Sequence, residues 1–137
     1  MKNNVLLETA KWRDVVELGL CMELYDVCND NQFDFCTPLD FANFMNLRDM
    51  PITISIKNKE KRRVCYMIQA VANKINPKKE ADKWVSLFLE RCGIENTYYK
   101  SHCSYVKAKD ASKENKEFKS AIDKAITTWV IKNIHHT

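Results

Sequence analysis

Apolar residues along most of the chain recur at the spacing of a helix. Between residues 58 and 75 they return every three or four positions, which predicts an amphipathic helix. Similar spacing predicts a first helix over residues 5–28 and a last helix over about 111–134, with Asp110 as its cap. Residues 52–56 alternate instead and are rich in β-branched side chains, which favours an extended segment that is either a linker or a short strand.

Proline and glycine indicate where the other helices begin and end. A Thr-Pro pair at the start of residues 37–47 suits a capping side chain followed by a first helical residue. Residues 77–92 begin with proline and are followed by Gly93, which is typical of a helix and its end. We expect a short helix over residues 95–105 and a loop over 106–110.

Composition favours the same architecture. The chain has only two glycines and three prolines in 137 residues, whereas all-β folds need many turns that use them. Its length fits one domain, and 45% hydrophobic residues suffice for a core. We therefore expect residues 1–137 to form an all-α, single-domain bundle of about five to six helices.

The sequence predicts a cytoplasmic protein without membrane association. No segment approaches the roughly 20 continuous apolar residues of a membrane helix, and charges from Glu8 onward interrupt the apolar start that an export signal needs. Without such a signal the six cysteines are expected to be reduced. They are Cys21, Cys28, Cys36, Cys65, Cys92 and Cys103.

We expect no metal site, no cofactor and no catalytic residue. The cysteines include no Cys-x-x-Cys pair, and the only close clusters are His102-Cys103 and His135-His136, whose members do not share a helical face. No glycine-rich phosphate loop occurs. An enzyme of another type stays open as an alternative, and a deep pocket with converging polar groups would reveal it.

Charge is distributed unevenly along the chain. Residues 1–50 carry 4 basic and 9 acidic side chains, a balance of −5, whereas residues 51–137 carry 18 basic and 9 acidic ones, a balance of +9. This asymmetry favours an acidic partner for the second part, and nucleic acid is the commonest such partner. The alternative is two oppositely charged surfaces that only keep the protein in solution.

A helix-turn-helix is expected near residues 80–105. An apolar helix ends at Gly93-Ile94, and a polar turn leads into a second helix, as in that motif. The second helix would present Asn96, Thr97 and Lys100 to base edges. The alternative is an ordinary helical hairpin that uses Gly93 as its C-cap.

Basic and aromatic residues alternate in and after this second helix, a pattern that suits a phosphate backbone. We expect double-stranded DNA to bind the basic C-terminal half of the chain. Because phosphates along DNA are fixed in space, the contacting residues should share one surface. The candidate nucleic-acid-binding residues are Asn96, Thr97, Tyr99, Lys100, Lys107, Lys109 and Lys116.

A longer pattern runs through the same half. An apolar helix at residues 64–71 precedes a helix that ends in Gly-Ile at 93–94, the Tyr98-Tyr99 pair, a basic stretch and a Phe-led helix over 118–126. With this order, residues 58–126 resemble the C-terminal region of RteC-type regulators of bacterial conjugative elements. The resemblance implies winged-helix DNA binding and a role in transcription regulation. We therefore expect a small, non-catalytic DNA-binding or accessory regulatory protein.

The second functional hypothesis is a helical protein-interaction module with no nucleic-acid role. Its working surface would be the acidic N-terminal third, which would bind a protein partner or a second copy of the chain. Four aromatic side chains are the candidate exposed contacts. They are Phe33, Phe35, Phe41 and Phe44.

Overall fold

A computed structural model of the protein describes residues 14–136, and within them it confirms the all-α architecture. Six α-helices and one 3-10 turn account for the regular structure of this part of the chain. They are α1 (Leu18–Cys28), α2 (Pro38–Met45), α3 (Lys61–Ala72), α4 (Lys78–Cys92), α5 (Asn96–His102), the 3-10 turn (Tyr105–Lys107) and α6 (Lys113–His136).

Helices α3 and α6 organise the bundle. Helix α3 is flanked by α4, α5, the 3-10 turn and α6, and half of its twelve residues are buried. Helix α6 packs along α1 on its other side, where Lys132 Nζ lies 2.7 Å from a carboxylate oxygen of Glu23. The N-terminal ends of α3 and α6 line the same cleft.

Aromatic side chains form much of the core. Phe33, Phe41 and Phe44 are almost completely buried, and the ring of Phe44 lies 5.1 Å from that of Phe88. The hypothesis that these three phenylalanines are exposed contacts was therefore wrong, whereas the helical pattern of residues 37–47, which offers Phe41 and Phe44 for burial, agrees with the structure. The reason is that burying such a ring contributes roughly 2–3 kcal/mol, more than the few charges beside them can oppose. Only Phe35 of the four is on the surface, with 72% of its area exposed.

Within the described residues, the predicted helix over residues 5–28 is helical only from Leu18, where α1 begins. Residues 14–17 are not helical, and the predicted portion over residues 5–13 lies outside the described part of the chain. The buried side chain of Asn46 accepts a hydrogen bond from the Val16 amide at 2.8 Å and donates one to its carbonyl at 2.9 Å. Because Asn46 satisfies both backbone groups, this segment has no need of helical hydrogen bonds.

Residues 52–56 are extended, as predicted, and pair with residues 32–34. A single antiparallel bridge joins Phe33 to Ile56, and the Asp34 amide donates to the Ser55 carbonyl at 3.0 Å. The pairing is one isolated bridge and not a sheet. Ile54, in the same extended segment, is buried in the core.

Local caps decide the remaining helix boundaries. Thr37 caps α2 as predicted, since its hydroxyl accepts from the Asp40 amide at 3.1 Å. For α6 the predicted cap at Asp110 was wrong, because the Ser112 hydroxyl accepts from the Asn115 amide at 3.2 Å. The predicted loop over 106–110 begins with the 3-10 turn, whose Val106 is buried.

None of the described helices is both long enough and apolar enough to cross a bilayer.

Candidate nucleic-acid interface

A basic cleft opens where the first turns of α3 and α6 meet α5 and the 3-10 turn. Its volume is about 420 Å³, which lies within the usual range for sites that hold small ligands. Four of its lining residues are cationic and none is acidic. The lining residues of this basic cleft are Lys59, Lys61, Arg62, Arg63, Tyr98, Tyr105, Ser112 and Asn115.

The tyrosines position two of the cations. Lys61 Nζ lies 4.6 Å from the centre of the Tyr98 ring, and the Arg62 guanidinium carbon lies 4.7 Å from the centre of the Tyr105 ring. These distances are those of cation–π contacts, which orient a cation without neutralising it. Both charges therefore remain available to an anion.

Among the described residues, one of the four cations has a carboxylate partner. Arg63 donates to Glu60 at 2.7 Å, whereas no carboxylate within the described residues pairs with Lys59, Lys61 or Arg62. Like charges this close in sequence repel one another, and the positive end of the α3 dipole adds to the repulsion. No acidic residue in the first turn of α3 offsets it. An anion bound in the cleft would relieve this repulsion.

The first turn of α3 also leaves backbone donors without a cap. No side chain among the described residues caps α3, and the residues of its first turn line the cleft. The turn before the helix holds Lys59 at a φ of 70°, a conformation that disfavours a lysine. Such a conformation persists only where the surrounding structure imposes it.

Asn115 adds a buried amide to the cleft. Its side chain is only 5% exposed, and its Oδ1 accepts from Arg63 Nε at 2.7 Å. The amide nitrogen Nδ2 is left as a donor, and no partner for it occurs among residues 14–136. The available side-chain groups of the cleft are therefore almost all hydrogen-bond donors, which suits a ligand that only accepts.

A second cleft continues along α3 from the basic one. Lys107 lies in it, with its Nζ 3.4 Å from Gln69 Oε1, and Asn73, Asp123 and Thr127 line its other sides. Gln69 follows Arg62 by seven residues, or roughly 10 Å along the helix axis. The 3-10 turn thus places Tyr105 at the basic cleft and Lys107 at the neighbouring one.

The proposed second helix of the helix-turn-helix is α5. Gly93 ends α4 with a φ of 70°, and the Ile94 amide donates to the Leu89 carbonyl at 2.9 Å, which is a Schellman-type turn. Asn96 and Thr97 are exposed in the first turn of α5, and Lys100 is exposed in its last turn. This geometry fits the helix-turn-helix and the ordinary hairpin equally well.

The other candidate residues differ in position. Lys109 is exposed in the turn after Lys107, and Lys116 is exposed one helical turn after Ser112. Tyr99 is half-buried against the core, where burial followed by nearby Cys103 and Cys65 raises the pKa of its hydroxyl to about 12. We therefore assign the aromatic contacts of the basic cleft to Tyr98 and Tyr105 rather than to Tyr99.

Lys59, Lys61, Arg62 and Asn115 are not among the residues predicted to bind nucleic acid. The sequence does mark the cations as unusual, because a helix that begins Lys-Arg-Arg without an acid opposes its own dipole. For Asn115 there is no such signal, since only the packing of α6 against α3 brings it to Arg63.

Among the described residues, the cysteines and histidines form no comparable site. All six cysteines are free thiols, and burial raises the pKa of Cys21 and that of Cys28 to about 12. Among the described residues no three His, Cys, Asp or Glu side chains are placed to hold a metal ion.

Comparison with known proteins found no family model, no curated protein and no solved structure that matches this chain.

Proposed function

We propose that the protein is a small, non-catalytic, DNA-binding or accessory regulatory protein that contacts the phosphate backbone through its basic face. This face comprises the basic cleft and the neighbouring Lys107 and Lys109. The observation that carries the proposal is the set of three cations in the cleft that pair with no carboxylate among residues 14–136. Phosphate is the anion that nucleic acids present in regular array, and its contacts supply most of the non-specific affinity.

In this proposal, α4 and α5 form a helix-turn-helix and α5 is the base-reading element. Asn96 and Thr97 would contact base edges, while Lys100 and Lys116 would reach neighbouring phosphates. The exposure of all four side chains supports their assignment to a contact surface. The resemblance of residues 58–126 to RteC-type regulators supports the same role.

The test is fluorescence anisotropy with a labelled duplex at low and moderate salt. We expect tight binding at low salt and a steep loss as salt rises, because each neutralised phosphate releases counterions. The double variant Lys107→Glu, Lys109→Glu should weaken binding to all sequences about equally. The matched control is Lys79→Glu, Lys83→Glu, which changes the net charge by the same amount on the exposed surface of α4.

The same assay separates phosphate contacts from base contacts. If Asn96 reads a base, Asn96→Ala should relax the preference at one position by about 1–3 kcal/mol while non-specific affinity is kept. Absence of duplex binding at low salt would refute the proposed function. Equal losses in the Lys107/Lys109 variant and in its control would show that net charge alone is responsible.

A second candidate function is protein interaction through the acidic N-terminal third. Phe35 and Leu39 favour it, because they lie four residues apart and are 72% and 69% exposed. Two large apolar side chains so close together form a small patch that suits a partner or a second copy of the chain. Light scattering after gel filtration, with Phe35→Ser, Leu39→Ser as the comparison, tests for self-association.

A further inference from the structure

We propose that the basic cleft is a binding site for a phosphate monoester carried on a nucleotide-sized group, with Arg62, Lys61 and Asn115 as its main contacts. The inference rests on the proposed function in so far as both assign nucleotide chemistry to this face. It adds a discrete pocket with one phosphate at its base.

The donors of the cleft define the kind of ligand. Lys61 and Arg62 supply charged N–H groups, Asn115 supplies an amide donor, and the first turn of α3 supplies uncapped backbone amides. The Oδ1 of Asn115 is already occupied by Arg63. A group that only accepts hydrogen bonds and carries negative charge satisfies all of these donors, and phosphate does so with three oxygens.

Charge distinguishes a monoester from a diester. Lys59, Lys61 and Arg62 contribute three positive charges that no carboxylate among the described residues pairs with. A phosphodiester within a strand carries one negative charge, whereas a phosphate monoester carries about two at neutral pH. The monoester therefore balances the cleft more closely, and the uncapped end of α3 strengthens the preference for the higher charge.

Size and aromatic contacts indicate what the phosphate is attached to. A volume of about 420 Å³ exceeds what an inorganic phosphate fills and leaves room for a sugar and a base. Tyr98 and Tyr105 line the cleft beside the cations, and each provides a hydroxyl group. A nucleotide could enter as a free small molecule or as the phosphorylated 5′ end of a strand, and both sources present the same chemistry.

The experiment is calorimetric titration of the full chain with adenosine 5′-monophosphate, and with adenosine as the ligand that lacks only the phosphate. Ionic strength is held constant with chloride. We expect the monophosphate to bind at least about tenfold more tightly, because charge-assisted hydrogen bonds are made only by the phosphate. A parallel titration compares a 5′-phosphorylated single strand with the same strand ending in a hydroxyl.

Two variants localise the binding. Asn115→Asp keeps an oxygen to accept from Arg63 and places an acid in the first turn of α6, where the helix tolerates it. Its second oxygen would repel the phosphate, so affinity for the monophosphate should fall by about tenfold or more. Asn76→Asp is the control, since Asn76 is exposed between α3 and α4. Arg62→Gln changes an exposed side chain and should also weaken binding, whereas Lys83→Gln should not.

Each outcome decides the matter. Preference for the monophosphate over adenosine, lost in Asn115→Asp or Arg62→Gln, supports a pocket for the free nucleotide. Preference only for the phosphorylated strand, lost in the same variants, supports the strand end as the source. Equal binding of the phosphorylated and unphosphorylated partners of both pairs, or a preference unchanged in both variants, overturns the inference. Failure of the proposed function is distinguished by duplex binding and its dependence on Lys107 and Lys109, which lie outside this cleft.

Discussion

Replacement of Asn46 by alanine should be among the most destabilising single changes in the chain. The Asn46 side chain is fully buried and accepts from the Val16 amide at 2.8 Å. It also donates to the carbonyls of Val16 and Ala42 at 2.9 and 3.0 Å. These hydrogen bonds connect the segment before α1 to the end of α2, thirty residues further along the chain.

The expected magnitude follows from these contacts. Three hydrogen bonds at a net value of about 1 kcal/mol each amount to about 3 kcal/mol. The buried amide of Val16 would also lose its partner, which places the expected loss towards the upper part of a range of roughly 2–5 kcal/mol. For a domain whose total stability is typically about 5–15 kcal/mol, this is a large fraction.

Urea unfolding followed by circular dichroism measures the effect. The midpoint should fall while the slope stays unchanged, because the change alters stability and not the surface exposed on unfolding. Asn73→Ala is the control, since Asn73 is exposed and should change stability by less than about 0.5 kcal/mol. Hydrogen exchange at the Val16 amide should accelerate selectively in Asn46→Ala. A loss below about 1 kcal/mol, or one equal to that of the control, would refute the argument that Asn46 anchors this segment.

Two further predictions concern the end of α4 and the buried thiols. Gly93→Ala should lower the free energy of unfolding by roughly 1 kcal/mol, because a φ of 70° strains any residue with a Cβ. No atom of the described residues lies within 4 Å of the added carbon, so backbone strain is the expected cause. An unchanged melting temperature would contradict it. Burial raises the pKa of the Cys21 and Cys28 thiols from 9.0 to about 12, so the folded state keeps both protons where the unfolded state loses them. This contribution is fully present below pH 9 and is lost as the pH rises towards 12. Unfolding in urea at pH 8 and pH 10 should show a loss of roughly 1 kcal/mol per thiol, and a double alanine variant with the same pH dependence would exclude this cause.

Much of the secondary structure follows from local sequence. The three- to four-residue period of residues 58–75 predicts α3, because one face of a helix must be apolar to pack. Thr37 and Gly93 mark a beginning and an end correctly, because a cap and a left-handed turn each depend on only a few neighbouring residues. The class of the fold, its helix count and several of its boundaries could therefore be predicted from the sequence.

Contacts between residues distant in sequence determine features of the fold that the local pattern did not predict. The first helix begins at Leu18 and not earlier, since Asn46 satisfies the backbone of Val16 from a distant part of the chain. The burial of Phe33 likewise depends on its pairing with Ile56, which lies beyond any local window.

The same distinction between local sequence and tertiary packing applies to the candidate site. The sequence by itself determined that the second part of the chain is basic and that Lys61 and Arg62 open a helix without an acid to balance them. Only the tertiary structure decided that Tyr98, Tyr105 and Asn115 join these cations around one cleft. The physical reason is that charge and periodicity are properties of neighbouring residues, whereas a cleft forms where helices distant in sequence pack together.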